Sequence, residues 1–444
     1  MDFEIENAVL KRYTGSDSHV VVPKSVTAIG PGAFRDCIGI RTIALPDSVT
    51  HTGDYAFLGC SGLADERGRV IVRGVLYDCL DSDDHIVVPD GVTRIAGYAF
   101  LRHKKLRRIT LPGSVTGIGE GAFYGCEQLN EIGIPDSVTE IGDKAFCGCR
   151  ALADDAGRVM VRGVFYGYYG SARDVAVPEG IGCIAENAFF NCKDVESVTL
   201  PGSLARIDKG AFSWCVQLQH IAFPGGPVTI GDNAFSDCHS LEHIDLPDGV
   251  AQIGEGAFSR CRALEGIGIP GSVKRIGKRA FAWCDSLGYL SLGGAETFIG
   301  EEAFKDCRAL RCVRLPGGGA DLKRILPRTD TAVVIHTANI DDVGDDFKPG
   351  AAAGFAEDGR GGADKSGSAY LDYIRNNAPR LCGMAIAHPT LLHLMMRERL
   401  IAEKDMDRFM EAAQAGDHTE AVAALLEYGH SLVNDENPWE DFTL

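Results

Sequence analysis

Cysteine offers the most obvious chemistry in this chain, because a thiolate can act as a nucleophile or as a zinc ligand. Ten of the fifteen cysteines stand three residues after a phenylalanine: Cys37, Cys60, Cys126, Cys149, Cys192, Cys215, Cys238, Cys261, Cys284 and Cys307. A nucleophile needs one activated position and zinc needs four ligands around one point, whereas these residues recur as a column. Parallel side chains one repeat apart also fit disulfide geometry poorly. We therefore predict free thiols packed at corners of the fold.

A second possible chemistry is metal binding by histidine and aspartate. His220 and His243 stand at equivalent positions of neighbouring repeats, and Asp245 follows two residues after the second. Two imidazoles and a carboxylate suit a divalent metal ion. Exposed histidines on strands are common, however, so a metal-dependent site is the less favoured hypothesis. We expect no metal, no cofactor and no catalytic residue.

The elements that position these residues come from one repeated unit. Ala-Phe pairs recur every 23 residues, except for two intervals of 43 residues. A fixed period in the twenties predicts a mainly β solenoid of the leucine-rich-repeat type, with coils of about 23 residues. Eleven phenylalanines would form its structural core: Phe34, Phe57, Phe100, Phe123, Phe146, Phe189, Phe212, Phe235, Phe258, Phe281 and Phe304.

The repeated phrase, as in "IPDSVTEIGDKAFCGCRAL" at 134–152, resembles the BspA-type leucine-rich repeat family. The resemblance covers roughly residues 3–316. It implies a right-handed solenoid with a β-sheet along one face, and a role in adhesion or protein binding without an enzymatic reaction. Known surface members of the family carry export signals or wall anchors, which this chain does not display.

The two longer intervals contain 20-residue inserts at about 63–86 and 152–175. "LADERGRVIVRGVLYD" and "LADDAGRVMVRGVFYG" are copies of each other, and each alternates apolar residues around a central Arg-Gly. This pattern predicts a tight β-hairpin with Gly74 or Gly163 at positive φ. The N-terminal "FEIENAVLKRYTG" looks like a third, looser version that would cap the open end of the stack. The internal hairpins are expected to project as lips.

The outward residues of the Leu-x-x-Ile-x-Leu strands form the candidate binding face, because repeat proteins commonly bind along such a sheet. One outward column is mostly small, so the face should be shallow and suited to a broad protein contact. The side chains expected to contact a partner are Arg108, Glu131, His220, His243 and Tyr289.

The carboxy-terminal third changes character. We predict that the solenoid occupies residues 1–340, that a Gly/Ala/Asp-rich linker occupies 341–368, and that a small all-α module occupies 369–444. The stretch 406–429 resembles the helix pair of an ankyrin repeat.

Bulk properties narrow the function classes. A formal charge of −18 argues against nucleic-acid binding as the main role. The chain has no phosphate-binding glycine loop, no HExxH and no nucleophile elbow. We predict a non-catalytic scaffold that binds another protein, without membrane insertion; a surface or secreted adhesin is the alternative. Because no export signal or transmembrane run is visible, the default location is cytoplasmic. The sequence names neither the partner nor the oligomeric state.

Overall fold

A computed structural model of the chain describes residues 2–223, 225–226, 228–315, 322–326, 333–343, 345–358 and 365–434. The chain forms two compact units. Unit 1 comprises Met1–Arg173, Val177–Cys192 and Ile207–Phe212. Unit 2 comprises Asp174–Ala176, Lys193–Arg206 and Ser213–Leu444. Both contain the coils of a β-solenoid, and unit 2 also contains the helices.

Each coil carries a face strand, formed by the Leu-x-x-Ile segment, and most carry a two-residue side strand formed by the Thr-x-Ile-Gly segment. The face strands of unit 1 are β3 (His19–Val21), β5 (Thr42–Ala44), β9 (His85–Val87), β11 (Arg108–Thr110) and β13 (Glu131–Gly133). Those of unit 2 are β17 (Asp174–Ala176), β19 (Ser197–Thr199), β21 (His220–Ala222), β24 (Gly266–Ile269), β26 (Tyr289–Leu292), β28 (Cys312–Arg314) and β29 (Val334–His336). The side strands are β4 (Ala28–Ile29), β6 (His51–Thr52), β10 (Arg94–Ile95), β12 (Gly117–Ile118), β14 (Glu140–Ile141), β18 (Cys183–Ile184), β20 (Arg206–Ile207), β22 (Thr229–Ile230), β23 (Gln252–Ile253), β25 (Arg275–Ile276) and β27 (Phe298–Ile299).

Neighbouring strands of a sheet pair in parallel, and their partners lie one coil apart in sequence. In unit 1, Ile109 of β11 lies opposite Ile86 and Ile132, each 23 residues away. In unit 2, Leu290 of β26 lies opposite Val313 of β28. The 23-residue period therefore sets the register, and apolar residues of successive coils fall into columns. The predicted fold class, a mainly β solenoid with a small helical C-terminal region, is confirmed.

The core phenylalanines stack along the interior. All eleven are at most 2 % exposed. Within unit 1 the Phe100 and Phe123 rings are stacked with centroids 5.1 Å apart, and Phe123 stacks on Phe146 at 5.3 Å. Within unit 2, Phe258 stacks on Phe281 at 5.2 Å. Each ring is thus covered by the equivalent ring of the next coil, which is the columnar packing expected for a solenoid.

Each coil turns sharply on either side of its core phenylalanine. The residue two positions before the ring has a left-handed backbone in all eleven coils, and so does the residue two positions after it. Glycine fills some of these positions, such as Gly32 at φ 65°, but Tyr98 at φ 60° and Trp283 at φ 61° fill others. Because a side chain disfavours this conformation, the neighbouring coils must hold these turns in place.

Three hairpins each begin a sheet. They are β1 (Phe3–Glu6) with β2 (Val9–Tyr13), β7 (Arg69–Val72) with β8 (Val75–Cys79), and β15 (Arg158–Val161) with β16 (Val164–Tyr168). Gly74 and Gly163 have φ of 74° and 77°, so both predicted turns are present. The internal hairpins also join the solenoid sheets, because β8 pairs in parallel with β10 and β16 pairs with β18. The second strand of each hairpin therefore takes the place of a side strand, and the projection of the hairpins as lips stays a prediction.

The hairpins also continue the aromatic core. Tyr77 of β8 packs edge-on against Phe57 at 4.9 Å, and Tyr166 of β16 packs edge-on against Phe146 at 5.4 Å. Both tyrosines are at most 3 % exposed. The Tyr77 hydroxyl donates a hydrogen bond to Thr52 Oγ1. A tyrosine therefore covers the last phenylalanine before each insert.

The last face strand and the helices belong to unit 2. β29 pairs in parallel with β28 and extends the sheet by one strand. The helices are α1 (Leu322–Ile325), α2 (Lys348–Glu357), α3 (Lys365–Ala387), α4 (Pro389–Arg397), α5 (Met406–Ala415) and α6 (Thr419–Asn434). Helix α2 lies in the segment predicted to be a linker, so that prediction is wrong over these ten residues. The boundaries proposed for the solenoid and the helical module stay a prediction.

Helix α2 packs directly on β29, which explains its composition. A Cβ atom on Gly350 would lie 2.3 Å from the Val333 carbonyl oxygen, and one on Gly354 would lie 2.2 Å from that of Ile335. Phe355 stacks on Tyr370 of α3 at 4.4 Å. Glycine at positions 350 and 354 therefore allows the close approach of the helix to the strand. The same composition is typical of linkers, and this is why the sequence was misleading.

Candidate functional site

The face strands of unit 1 expose the first two candidate residues. Arg108 and Glu131 lie directly opposite each other on β11 and β13. Arg108 Nε donates to Glu131 Oε2 at 2.8 Å, and the side chains are 53 % and 61 % exposed. Each charge is thus already partly compensated by the other. An exposed ion pair of this kind adds little stability, about 0.2–1 kcal/mol, so a partner can replace it at small cost.

In unit 2, His220, His243 and Asp245 do not come together as a group that could bind a metal ion. His220 lies on β21, which is the last strand of a three-stranded sheet, and it is exposed. His243 is exposed and lies outside the strands, whereas Asp245 bridges to Gly268 on β24. Among the described residues, no group of three His, Cys, Asp or Glu side chains could hold a metal ion. The geometry therefore gives the metal hypothesis no support.

Tyr289 stands on a nearly bare part of the face. It lies on β26 with 39 % of its surface exposed. On β24, a Cβ atom placed on Gly266 would lie 3.5 Å from Tyr289 Cδ1, and one on Gly268 would have no atom within 4 Å. The ring therefore borders a strip of exposed backbone. This arrangement favours close approach by another protein rather than enclosure of a small molecule.

The last strands of this sheet carry a charged cluster that the sequence analysis missed. His336 on β29 is 7 % exposed, and its Nδ1 lies 2.9 Å from Asp358 Oδ1 at the end of α2. Arg314 Nη2 lies 3.8 Å from the same oxygen. Burial and the Glu357 carboxylate raise the pKa of Cys312, which is half-buried. Only the contact of α2 with β29 brings this cluster together, and no local sequence pattern signals it.

The cysteine column forms hydrogen bonds between coils. Each of six thiols donates to the carbonyl oxygen of the phenylalanine 26 positions earlier, at 2.9–3.2 Å: Cys60, Cys126, Cys149, Cys261, Cys284 and Cys307. Burial raises the pKa of Cys60 and of Cys126 to about 12. All fifteen cysteines are free. Such thiols hold almost no thiolate at neutral pH, so they are poor nucleophiles and poor metal ligands.

A shallow cavity of about 350 Å³ lies in unit 1 where the first insert interrupts the face. Its wall, here called the first insert slot, consists of Thr42, Ile43, Leu45, Leu63, Ile71, Val72 and Arg73. The second insert has Glu131, Ile132, Ile134, Leu152, Met160, Val161 and Arg162 at the corresponding positions, 89 residues later. Both hairpins were predictable from the sequence, but this opening beside the first of them was not.

A profile of the BspA type leucine rich repeat region matches residues 4–65, 70–155, 161–287 and 205–324, in six copies. The chain belongs to this family. The matches end at residue 324, so they give no support to the ankyrin-like interpretation of 406–429. None of the curated proteins compared with this chain matches it.

Thirteen chains of solved structure also match. A leucine rich cell surface protein from Faecalibacterium prausnitzii is 28 % identical with a TM-score of 0.40, over 66 % of this chain and 93 % of that chain. A leucine-rich repeat protein from Bacteroides ovatus is 25 % identical with a TM-score of 0.40, over 72 % of this chain and 83 % of that chain. The pneumococcal vaccine antigen PcpA is 17 % identical with a TM-score of 0.36, over 74 % and 75 %.

Proposed function

We propose that this BspA-type repeat protein is a non-catalytic scaffold that binds another protein through the outward side of its face strands. The carrying observation is the strip beside Tyr289 in unit 2, where Gly268 is exposed and Gly266 is half-buried, so that two strand positions carry no side chain. Tyrosine is among the residue types that most often act as anchors of protein contacts. Parallel strands repeated coil after coil supply an extended surface for such contacts.

The five candidate residues have different roles in this proposal. Tyr289 is the aromatic anchor, and exposed His220 and His243 offer ring surfaces and hydrogen bonds. Arg108 and Glu131 supply opposite charges that exchange their mutual contact for contacts with the partner. Because the pair is exposed, it tunes orientation and association rate more than affinity.

The chemistry of the thiols supports a role without catalysis. The most regular set of chemically capable residues is the cysteine column, and its members are mostly buried, bonded to carbonyl oxygens and protonated at neutral pH. A catalytic thiol needs a lowered pKa and access to substrate. These cysteines have the opposite properties, so we assign them to the packing of the coils.

For location, we propose a reducing compartment such as the cytoplasm, since fifteen free cysteines suit it. No helix in the described part of the chain is long and apolar enough to cross a membrane. The alternative is a surface or secreted adhesin that binds host or extracellular proteins, which the family relationship favours. Fractionation of the producing cells, with alkylation of thiols before lysis, distinguishes the two locations. Detection of the protein only at the cell surface would favour the adhesin hypothesis over the intracellular scaffold.

Affinity capture tests the scaffold directly. The full chain is immobilised and exposed to an extract of the cells that make it, beside a face variant in which Tyr289, His220 and His243 are changed to alanine. A control variant carries Phe190→Ala, an exposed aromatic residue outside the face strands. We expect a partner that the wild type and the control retain and that the face variant loses. Equal capture by all three proteins would contradict the proposal.

A further inference from the structure

The face strands of unit 1 form two separate sheets, β3–β5 and β9–β11–β13, and each sheet ends in an edge strand before an insert, namely β5 and β13. Among the strands of the described residues, β5 pairs only with β3, and β13 pairs only with β11. In uninterrupted coils the carbonyls of Ser18, Asp84 and Arg107 each accept two N–H groups from the next coil. Among the described residues, no N–H donates to the corresponding carbonyls of Arg41 and Asn130. The insert has therefore removed the strand that would have satisfied them.

The free edge also uncovers part of the core. The inward residues Val20, Ile86 and Ile109 of other face strands are at most 3 % exposed. Ile43 of β5 and Ile132 of β13 are only half-buried. Both lie in the centre of a free-edge strand, so solvent reaches an apolar residue that is sealed elsewhere in the solenoid.

The main-chain directions on β5 show which groups are available. Thr42 N–H donates to the Ser18 carbonyl, and the Ala44 carbonyl accepts from Val22 N–H, so both residues point their polar groups toward β3. Successive residues of a parallel strand alternate in direction. The N–H and C=O of Ile43 therefore point toward the first insert slot. An exposed strand edge of this kind is a template for another strand.

Beside the edge of β5, the first insert slot offers an apolar wall and a closed end for a bound peptide. Leu45, Leu63 and Val72 are half-buried parts of its wall, so it can accept an apolar side chain. Arg73 closes one end by donating to the carbonyls of Val49, Leu45 and Pro46 at 2.7–2.9 Å.

The charge beside the slot selects among peptides. Arg41 directly precedes β5, is exposed, and forms no ion pair within the described residues. At the second free edge the same position is Asn130, and Glu131 replaces Thr42. At the first site a positive charge, an apolar cavity and an open edge occur together. A peptide that matches this site is an extended segment that carries an apolar residue and a carboxylate.

We propose that β5 and the first insert slot bind an extended acidic-apolar peptide segment of another protein by strand addition. Main-chain bonds to Ile43 give affinity, the slot takes an apolar side chain, and Arg41 pairs with a peptide carboxylate. This site lies at an edge of the sheet and not on its outward side, so it goes beyond the proposed scaffold surface. Its failure leaves the face contact untouched, and the reverse also holds.

Selection from a random octapeptide display library tests the proposal with the full chain. The bait is the wild type, and counter-selection uses Ile43→Pro, which removes the edge N–H at a position where proline is tolerated. Ile43→Val is the matched control, because it also loses apolar volume but keeps the donor. We expect clones with alternating apolar residues and Asp or Glu that bind wild type and Ile43→Val alike, and Ile43→Pro at least about tenfold more weakly.

Two further measurements make the outcome decisive. Arg41→Glu should shift the enriched clones from acidic to basic residues, whereas Asn130→Glu at the second edge should leave them unchanged. Methylation of alternate backbone nitrogens in a selected peptide should abolish binding. The proposal is overturned if no clone is enriched, if methylation has no effect, or if folded Ile43→Pro binds as well as wild type. A concentration-dependent dimer that Ile43→Pro dissolves would instead assign the edge to a second copy.

Discussion

Adjacent phenylalanines in unit 1 allow a matched test of the aromatic core. The Phe189 ring is fully buried and stacks on Phe165 and Phe212, with centroids 4.8 Å away in both cases. Its chain neighbour Phe190 is 53 % exposed. The same substitution by alanine, one position apart, therefore either opens a cavity in the column or removes a surface ring.

The expected loss of stability in each variant follows from this difference in burial. Truncating a buried phenylalanine to alanine costs about 3–5 kcal/mol, and two stacked neighbours place Phe189→Ala at the upper end. Phe190→Ala should change the free energy of unfolding by no more than about 0.5 kcal/mol. If the free energy of unfolding falls by about 2–3 kcal/mol per M of urea, Phe189→Ala should lower the midpoint urea concentration by about 2 M.

Urea unfolding of the full chain, followed by far-ultraviolet circular dichroism, measures both midpoints. Phe189→Leu serves as the control for volume, and we expect it to lose about 1–1.5 kcal/mol because most of the cavity stays filled. If Phe190→Ala were as destabilising as Phe189→Ala, the assignment of one ring to the interior and the other to solvent would be wrong.

Three other experiments test the packing of the coils and of helix α2. Burial raises the pKa of Cys126 to about 12; its contribution to stability is complete below pH 9 and is lost as the pH rises toward 12. In Cys126→Ala the free energy of unfolding should therefore fall less steeply with rising pH, by up to about 1.4 kcal/mol per pH unit. Urea unfolding at several pH values from 8 to 11 measures this slope, and an unchanged slope would refute the prediction. Tyr77→Phe removes the hydrogen bond to Thr52, so it should cost about 1 kcal/mol, and Thr52→Val should add little in that background. Gly354→Ala places a Cβ within 2.2 Å of a carbonyl oxygen and should therefore lower the melting temperature. The control Gly383→Ala in α3 has open space around its Cβ and should raise the melting temperature slightly. Equal shifts of the melting temperature in both variants would contradict the close packing of α2.

The solenoid was predictable because its information is local and repeated. The 23-residue spacing of phenylalanines such as Phe123 sets both the coil length and the register of the sheets. The hairpins were equally visible, since Arg73-Gly74 stands between two alternating apolar runs. One physical rule, the burial of equivalent residues by stacking, connects these patterns to the structure.

The parts that escaped prediction depend on contacts between segments far apart in sequence. Gly354 gives the composition of a linker, but its role is to let α2 approach β29. His336 and Asp358 meet only because of that contact. Likewise, the free edge of β5 exists because the hairpin joins the side strands and leaves the face strand without a partner, which no repeat pattern reveals. The partner-binding residues stay predictions for the same reason, since affinity depends on a molecule that the sequence does not describe.

Hydroxyl-radical footprinting of the captured complex tests the central claim most directly. The method reports the exposure of individual side chains, and Tyr289, His220 and His243 are exposed in the free chain. We expect partner binding to lower their oxidation rates several-fold, while Phe190 and Trp214, which are exposed outside the face strands, keep theirs. Protection of Phe190 and Trp214, with the face residues unchanged, would show that the partner binds elsewhere and that the scaffold surface was wrongly assigned.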